Sequence, residues 1–366
     1  MQNDNVTMKK VNSLTEIPHE ILEEAMKAGI DKEEGRAGSF FHIDHSTVMS
    51  KVNEKFEGKI EVMDIKDALG KYGWLEDYRW HLVDKNKDEY TRAADREFSG
   101  GYFLRILKGA KVELPLQSCL FISEKGLKQR VHNIVIAEEG SEASIITGCA
   151  LHKESSGEHV GISEFFVKKG AKLNFTMIHN WSEETVVRPR SAALVDDGAT
   201  FVSNYICMNP VKDLQMYPKA FCKGVGSTAS FNSIIYAKDG SKIDVGSAVE
   251  LSGKNSRAEI VSRTMVSGDS QIIARGMLEG IESPAKGHLE CRGLILDDNS
   301  RIHAIPEIIG SKKDIELSHE AAVGKIAEKE ITYLMSRGLS HDEAMSTIVR
   351  GFMDVGIMGL SKRVTV

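Results

Sequence analysis

The sequence predicts a mainly β fold, a parallel β-helix core between helix-rich ends. Three observations predict it. Turn signals followed by alternating strand residues recur through the middle as KGAKVELPL, EGSEASIIT, KGAKLNFTM, DGATFVSNY, KDGSKIDVG and SGDSQIIAR. Their glycines, Gly109, Gly140, Gly170, Gly198, Gly240 and Gly268, stand 31, 30, 28, 42 and 28 residues apart, with Asn299 a further 31 residues on. Helical periodicity is missing from that stretch and returns only near the C-terminus.

Short strands at a period near 30 suggest one superhelical coil per repeat, with stacked coils burying a continuous core. The 42-residue interval then carries an insertion. A sandwich or barrel of hairpins is the competing architecture, and it calls for turn signals every 8–12 residues or so.

Three units follow in order. Residues 1–95 read as a mixed, helix-leaning domain: SLTEIPHEILEEAMKAG places Pro18 at a helix start, Ile21, Leu22, Ala25 and Met26 on one face, and Gly29 as C-cap. Residues 96–305 form the β-helix. Residues 306–366 form a C-terminal helical domain in which Ile331, Leu334 and Met335 share a face and Arg337-Gly338 is a stop. Ser340 and Glu343 make a capping box, and Ala344, Ile348, Val349, Phe352 and Val355 follow at helical spacing. Such helices can cap the last coil's open edge or dock a partner.

Composition narrows the function. A 366-residue chain with 41% hydrophobic and 27% charged residues is ordinary for a folded protein, and a net charge of −6 argues against nucleic-acid or anionic-membrane binding. The N-terminus lacks an apolar signal region, so a cytoplasmic location is expected. Five cysteines lie far apart with no CxxC pair, which fits free thiols in a reducing compartment.

Candidate chemistry is sparse. Cys291, in GHLECRGLILDD, precedes His319 by 28 residues, about one coil, and Glu320 follows directly. Thiolate plus imidazole suits zinc, iron or iron–sulfur chemistry, with Glu320 as an oxygen ligand or proton acceptor. The plain alternative is a buried cysteine and a helix-capping histidine. Cys149 has His152 three residues on, an imidazole that can help form a thiolate; an inert core cysteine is the alternative. His42 and His45 have a spacing that metals use on helices but lack a third ligand. Gly224-x-Gly226 is an incomplete dinucleotide fingerprint, and no phosphate-binding loop with Lys-Ser/Thr exists, so if the function needs nucleotide hydrolysis another chain must supply it.

Residues 304–352, AIPEIIGSKKDIELSHEAAVGKIAEKEITYLMSRGLSHDEAMSTIVRGF, resemble the C-terminal signature of the SufB/SufD family of iron–sulfur assembly scaffolds. The matching pieces are the Pro306 stretch, SHEA followed by GKI, YLMSRGLS and Gly351-Phe352, with GGYFLRILKGAKVELPLQS and GCALH…HNW upstream. The chain looks most like short, minimal SufB-type homologues. The resemblance implies a right-handed parallel β-helix between helical domains, and a homodimer that binds an ABC-type ATPase, SufC. It also implies a transient iron–sulfur cluster built at the dimer interface, and sulfur supplied by a donor such as a cysteine desulfurase.

Residue by residue, the resemblance implies cluster assembly at Cys291, His319 and Glu320. It implies sulfur acceptance at Cys149, with His152, His179 and Trp181 around the transfer route; His179 stands where SufB proper has glutamine. It places ATPase docking at Tyr333, Arg337, Gly351 and Phe352. The Arg-x-Asn strand of the SufB tunnel is not evident in SCLFIS. A SufD-like adaptor that dimerises and stimulates the ATPase without building the cluster is the close rival. Cys291, His319 and Glu320 together favour the SufB-like role. A β-helical carbohydrate enzyme is a further class; the missing export signal and only three tryptophans speak against it.

Overall fold

The computed structural model describes residues 9–32, 35–153 and 155–354. It is a parallel β-solenoid of about eight turns with helices at both ends. A front sheet stacks Leu116–Ile122, Glu142–Leu151, Lys172–Asn180, Thr200–Cys207, Thr228–Ala237, Ser256–Val266, Ala285–Ile295 and Ile315–Lys325, each parallel to the last. A back sheet stacks Tyr102–Ile106, Leu127–Ala137, Gly157–Val167, Arg190–Val195, Lys219–Cys222, Lys242–Leu251, Gln271–Gly280 and Arg301–Gly310. Alternate residues point inward, and the two inner faces meet in one continuous core that includes Phe165, Phe175 and Phe201.

The 42-residue interval holds no insertion. Gly109, Gly140, Gly170 and Gly198 turn the chain from back sheet to front sheet, whereas Gly240 and Gly268 turn it from front to back. The turn missing from the series is at Gly226, with φ 68°, 28 residues after Gly198. The interval is one and a half coils, and the glycine marker simply changes corners. Gly224-x-Gly226 is therefore part of a solenoid corner.

The N-terminal region contributes three strands besides its helices. Gly38–Ile43 adds to the front sheet in parallel register with Leu116–Ile122, Ser46–Val52 folds back antiparallel on it, and Ile60–Asp64 closes the back sheet antiparallel to Tyr102–Ile106. Helix α1 (His19–Lys27) lays Ile21, Leu22 and Ala25 on the outer front sheet, against Ala150 and Ile178. A Cβ on Gly148 would come 2.6 Å from the Ala28 carbonyl oxygen, so the segment after α1 can approach this strand only because residue 148 is glycine. Helices α2 (Ile65–Lys71) and α3 (Glu89–Arg96) lie near the back sheet. There the buried Glu164 carboxylate accepts from His132 Nε2 at 2.7 Å and from the backbone N–H groups of Trp80, Leu82 and Val83, latching the intervening loop to the solenoid.

Strands run on past residue 305 to Lys325, so His319 and Glu320 lie in the last front-sheet strand and not at a helix start. The alternation of Ile315, Leu317, Ala321 and Val323 with Glu316, Ser318 and Glu320 is interrupted by His319 in the apolar row and Ala322 in the polar one, and two true helices follow at once. Helix α4 (Glu328–Ser336) and helix α5 (His341–Phe352) follow, α5 with the expected Ser340–Glu343 capping box. They pack on one another through Ile331 and Ala344, and α5 reaches the outer front sheet through Val349, Phe352 and Met353. Val355 lies outside the described residues. Among the described residues no helix is long and apolar enough to cross a membrane.

Candidate functional site

Register decides which groups meet at the last coils. Leu289, Cys291 and Gly293 point inward from Ala285–Ile295, and His288, Glu290 and Arg292 point outward. In the next strand His319 is level with Leu289, Glu320 with Glu290 and Ala321 with Cys291. His319 therefore occupies the inner row that earlier coils fill with Phe231, Ile260 and Leu289. It is exposed because no further coil covers it. Cys291 and His319 share a face, one strand apart (about 4.8 Å) and two residues along (about 6.6 Å).

Glu320 is on the opposite face, because neighbouring residues of a strand point to opposite sides. The structure thus brings Cys291 and His319 to one face of the front sheet and turns Glu320 away from it. Cys291 is 2% exposed. Burial, with the Glu290 carboxylate adding to it, pushes its thiol up to about 11.

A second group lies deep in the core. Cys149, His179 and Cys207 are level on three successive front-sheet strands, all facing inward. The Tyr205 hydroxyl lies 2.8 Å from His179 Nδ1, and the Cys207 thiol donates to the Asn209 carbonyl at 3.9 Å. From the back sheet His159 lies against Trp181, ring centres 5.1 Å apart and the planes tilted by 39°, and bonds Gln129 at 2.9 Å through Nδ1. His179 Nε2 and Trp181 Nε1 are buried without a hydrogen-bond partner. Burial pushes the Cys149 thiol far up and Cys207 up to about 12, and it drives His159 down to about 3 and His179 well below its usual value. This chamber holds neutral thiols and neutral imidazoles.

His152 is not part of it. It lies beyond the strand end on the outside, 3.4 Å from Glu20 of α1. Asn180 also faces out and bonds the Glu24 carbonyl and carboxylate at 3.2 Å. The HNW segment therefore sends His179 and Trp181 inward and uses Asn180 to hold α1.

The two inner groups are joined by a polar row. Tyr205, Ser233, Ser262 and Cys291 are level on four successive strands, and a cavity of about 40 Å³ lies against Tyr205, Ser233 and Ser262. Motif reading passes over Cys207, Tyr205, Ser233 and Ser262. Their signal is the coil period itself, since Tyr205, Ser233, Ser262 and Cys291 follow one another at 28, 29 and 29 residues.

His42 and His45 form no metal pair. His42 points inward from Gly38–Ile43 with Nδ1 3.1 Å from Thr47 Oγ1, and burial takes it down to about 4, whereas His45 sits in the adjoining turn. On the C-terminal helices Tyr333 is 58% exposed and stacks under the Arg337 guanidinium at 5.3 Å. Gly351 is exposed. Phe352 is half-buried on the outer front-sheet cluster, and its carbonyl accepts from Arg263 at 3.1 Å.

Known proteins resemble this chain along most of its length. Residues 120–352 match the family model described as "SUF system FeS cluster assembly, SufBD core domain". An iron-sulfur cluster assembly SufBD family protein of Archaeoglobus fulgidus is 58% identical over 305 residues, 83% of this chain and 82% of the relative. One from Methanothermobacter thermautotrophicus is 48% identical over 359 residues, covering 96% and 87%. A Pyrococcus horikoshii protein of the same description is 30% identical over 353 residues, covering 94% and 78%.

Proposed function

Because the chain belongs to the SufBD family of iron–sulfur cluster assembly proteins, we propose that it is the scaffold on which a labile cluster is built. The observation that carries this reading is the inner row. It begins at Tyr205, which meets His179 of the thiol chamber, and runs through Ser233 and Ser262 to Cys291, next to His319 on the same face.

Two copies meet by pairing the unpaired edges of Arg301–Gly310 and Ile315–Lys325. A two-fold axis then sets Cys291 and His319 of each copy opposite those of the other. Few ligands leave the cluster incompletely wrapped, and a carrier must be able to release it. Cys149 attacks the outer sulfur of the persulfide on a donor such as a cysteine desulfurase, the donor cysteine leaving as its thiol. An external two-electron thiol reductant then releases that sulfur from Cys149 as hydrosulfide, which moves along the row toward Cys291. The neutral, water-poor chamber protects it from side reactions.

A SufC-type ABC ATPase docks on the C-terminal helices, around Tyr333 and Arg337 on α4 and the Gly351-Phe352 end of α5. This chain binds no nucleotide itself. Closure of two ATPases opens the dimer interface, provided their ATP-bound form binds the open state more tightly.

Anaerobic reconstitution with iron and sulfide tests the reading. Cys291→Ser is expected to lose most of the cluster absorbance while keeping fold and dimer. A Cys291→Ser protein with unchanged cluster content removes Cys291 from the site, and the scaffold mechanism with it.

A further inference from the structure

We propose that His288, Glu290 and Glu320 form a divalent-cation site on the outer face of the last two coils, a loading position for ferrous iron behind the Cys291–His319 face. The assignment of iron rests on the scaffold reading; the cation site itself rests on geometry. One donor atom from each of the three side chains lies within 4.8 Å of the other two. The strand register sets this up. His288 and Glu290 are two residues apart and so project from one face of Ala285–Ile295, and Glu320 is level with Glu290 on the neighbouring strand and the same side.

The donor set is chemically selective. One imidazole and two carboxylates form a borderline-hard site suited to ferrous, manganous or zinc ions, with water filling the remaining positions. The thiol–imidazole face on the other side of the strand suits a sulfur-bound cluster instead. Because Cys291 lies between Glu290 and Arg292, the two surfaces are separated by one peptide strand. An oxygen-ligated ion on the outside is thus held next to the thiol that must receive it, without occupying that thiol. This arrangement explains Glu320 more directly than shared ligation with His319, since those side chains point to opposite faces.

The neighbours orient the site and keep it weak. The Ser318 hydroxyl bonds His288 Nδ1 at 2.9 Å and fixes the ring. Arg292 Nε lies 2.5 Å from Glu290, so an arriving cation competes with a guanidinium for that carboxylate. Glu290 is mostly covered, its side chain 17% exposed, whereas Glu320 is open to solvent. A site with one ordered carboxylate, one free carboxylate and a competing cation suits an ion that must move on.

Manganous ion, which is redox-inert under these conditions and detectable by electron paramagnetic resonance, is the probe. Titrated into the intact apo protein, it is expected to bind one site per chain. Glu290→Gln and His288→Ala, both on the outer face of the sheet, each weaken binding about 10-fold or more. Arg292→Gln, which removes the competitor, tightens it. Cys291→Ser leaves it unchanged. The absence of saturable binding, or affinities for Glu290→Gln and His288→Ala equal to that of the parent protein, overturns the site. Failure of the scaffold reading is read separately, in cluster content of Cys291→Ser, and leaves the manganous titration untouched.

Discussion

The two ends of the solenoid are finished in opposite ways. At the N-terminal end, Ser46–Val52 and Ile60–Asp64 fold back antiparallel on the two sheets, and the histidines, thiols and aromatic rings behind them are sealed from water. At the C-terminal end the chain stops adding coils at Lys325, and among the described residues each last strand has a neighbour on one side only. Ile309 and Val323 stand 45% and 41% exposed there, together with His319. A parallel coil is a template for the next one, so an unfinished parallel edge invites pairing, whereas a terminal antiparallel strand of different length and twist ends it. The same inward face of the front sheet is therefore sealed at one end and uncovered at the other.

The largest test of this contrast is pH. Burial lowers His42 to about 4 and His159 to about 3, and it also depresses His132 and His179. In the unfolded chain these groups take up protons near their ordinary value of about 6.5. Their stabilising contribution is therefore complete above that pH. It is lost as pH falls below about 6.5 toward the folded values, at about 1.4 kcal/mol per pH unit for each proton the unfolded chain alone binds. Denaturant midpoints are expected to fall steeply between pH 6.5 and 4. His159→Gln and His179→Gln should each flatten the slope by about one proton. A slope unchanged in both variants would mean that the chamber is wet.

How far this contrast was visible in the sequence depends on parity. The glycine period gave away the solenoid, but glycines mark only those corners that need a left-handed residue. The change of corner between Gly198 and Gly240 therefore imitated an insertion. Cys291 and His319, 28 residues apart, were readable as neighbours in adjacent coils. Their shared face, and the exclusion of Glu320 from it, required the strand register, because a one-residue slip reverses every side chain. Ile315–Lys325 was hardest to read as a strand. It does alternate, with Ile315, Leu317, Ala321 and Val323 on the inner face and Glu316, Ser318 and Glu320 outside, but His319 interrupts the apolar row and Ala322 blurs the polar one. The Glu164–His132 latch had no sequence signal: the two residues lie 32 apart, and their meeting depends on two back-sheet strands being in register.

A second test loads the open end. If the rim pairs with another copy, Val323→Lys sets a charge in the contact and is expected to weaken the dimer about 100-fold, or about 2.7 kcal/mol, by sedimentation at graded concentrations. Val225→Lys is the control. Val225 is 55% exposed, but it lies at an internal corner, so the dimer should be unaffected. Equal dimer affinity for Val323→Lys and the parent protein would show that the unpaired strands are not the contact. The proposed docking helices are probed alongside: Tyr333→Ala, exposed and unneeded for the core, should lower retention of the ATPase without changing thermal stability.

The smallest expected effect concerns the thiols, and it compares the two ends directly. Alkylation proceeds through the thiolate, and both Cys149 and Cys291 are held protonated by burial, Cys149 more strongly. Cys291 is one coil from the open end, where local opening costs least, whereas Cys149 lies under the capped end beneath α1. With iodoacetamide at pH 8.5, peptide mass spectrometry should find Cys291 modified about 10-fold faster than Cys149 or Cys207. Because its thiol titrates near 11, its rate should rise close to 10-fold per pH unit up to about pH 10. Urea should erase the difference. If Cys149 were alkylated as fast as Cys291 in the folded protein, the interior thiols would be open to solvent along a route other than the rim. The solenoid would then be a channel with two mouths, and sulfur delivered to Cys149 would not need to leave at Cys291.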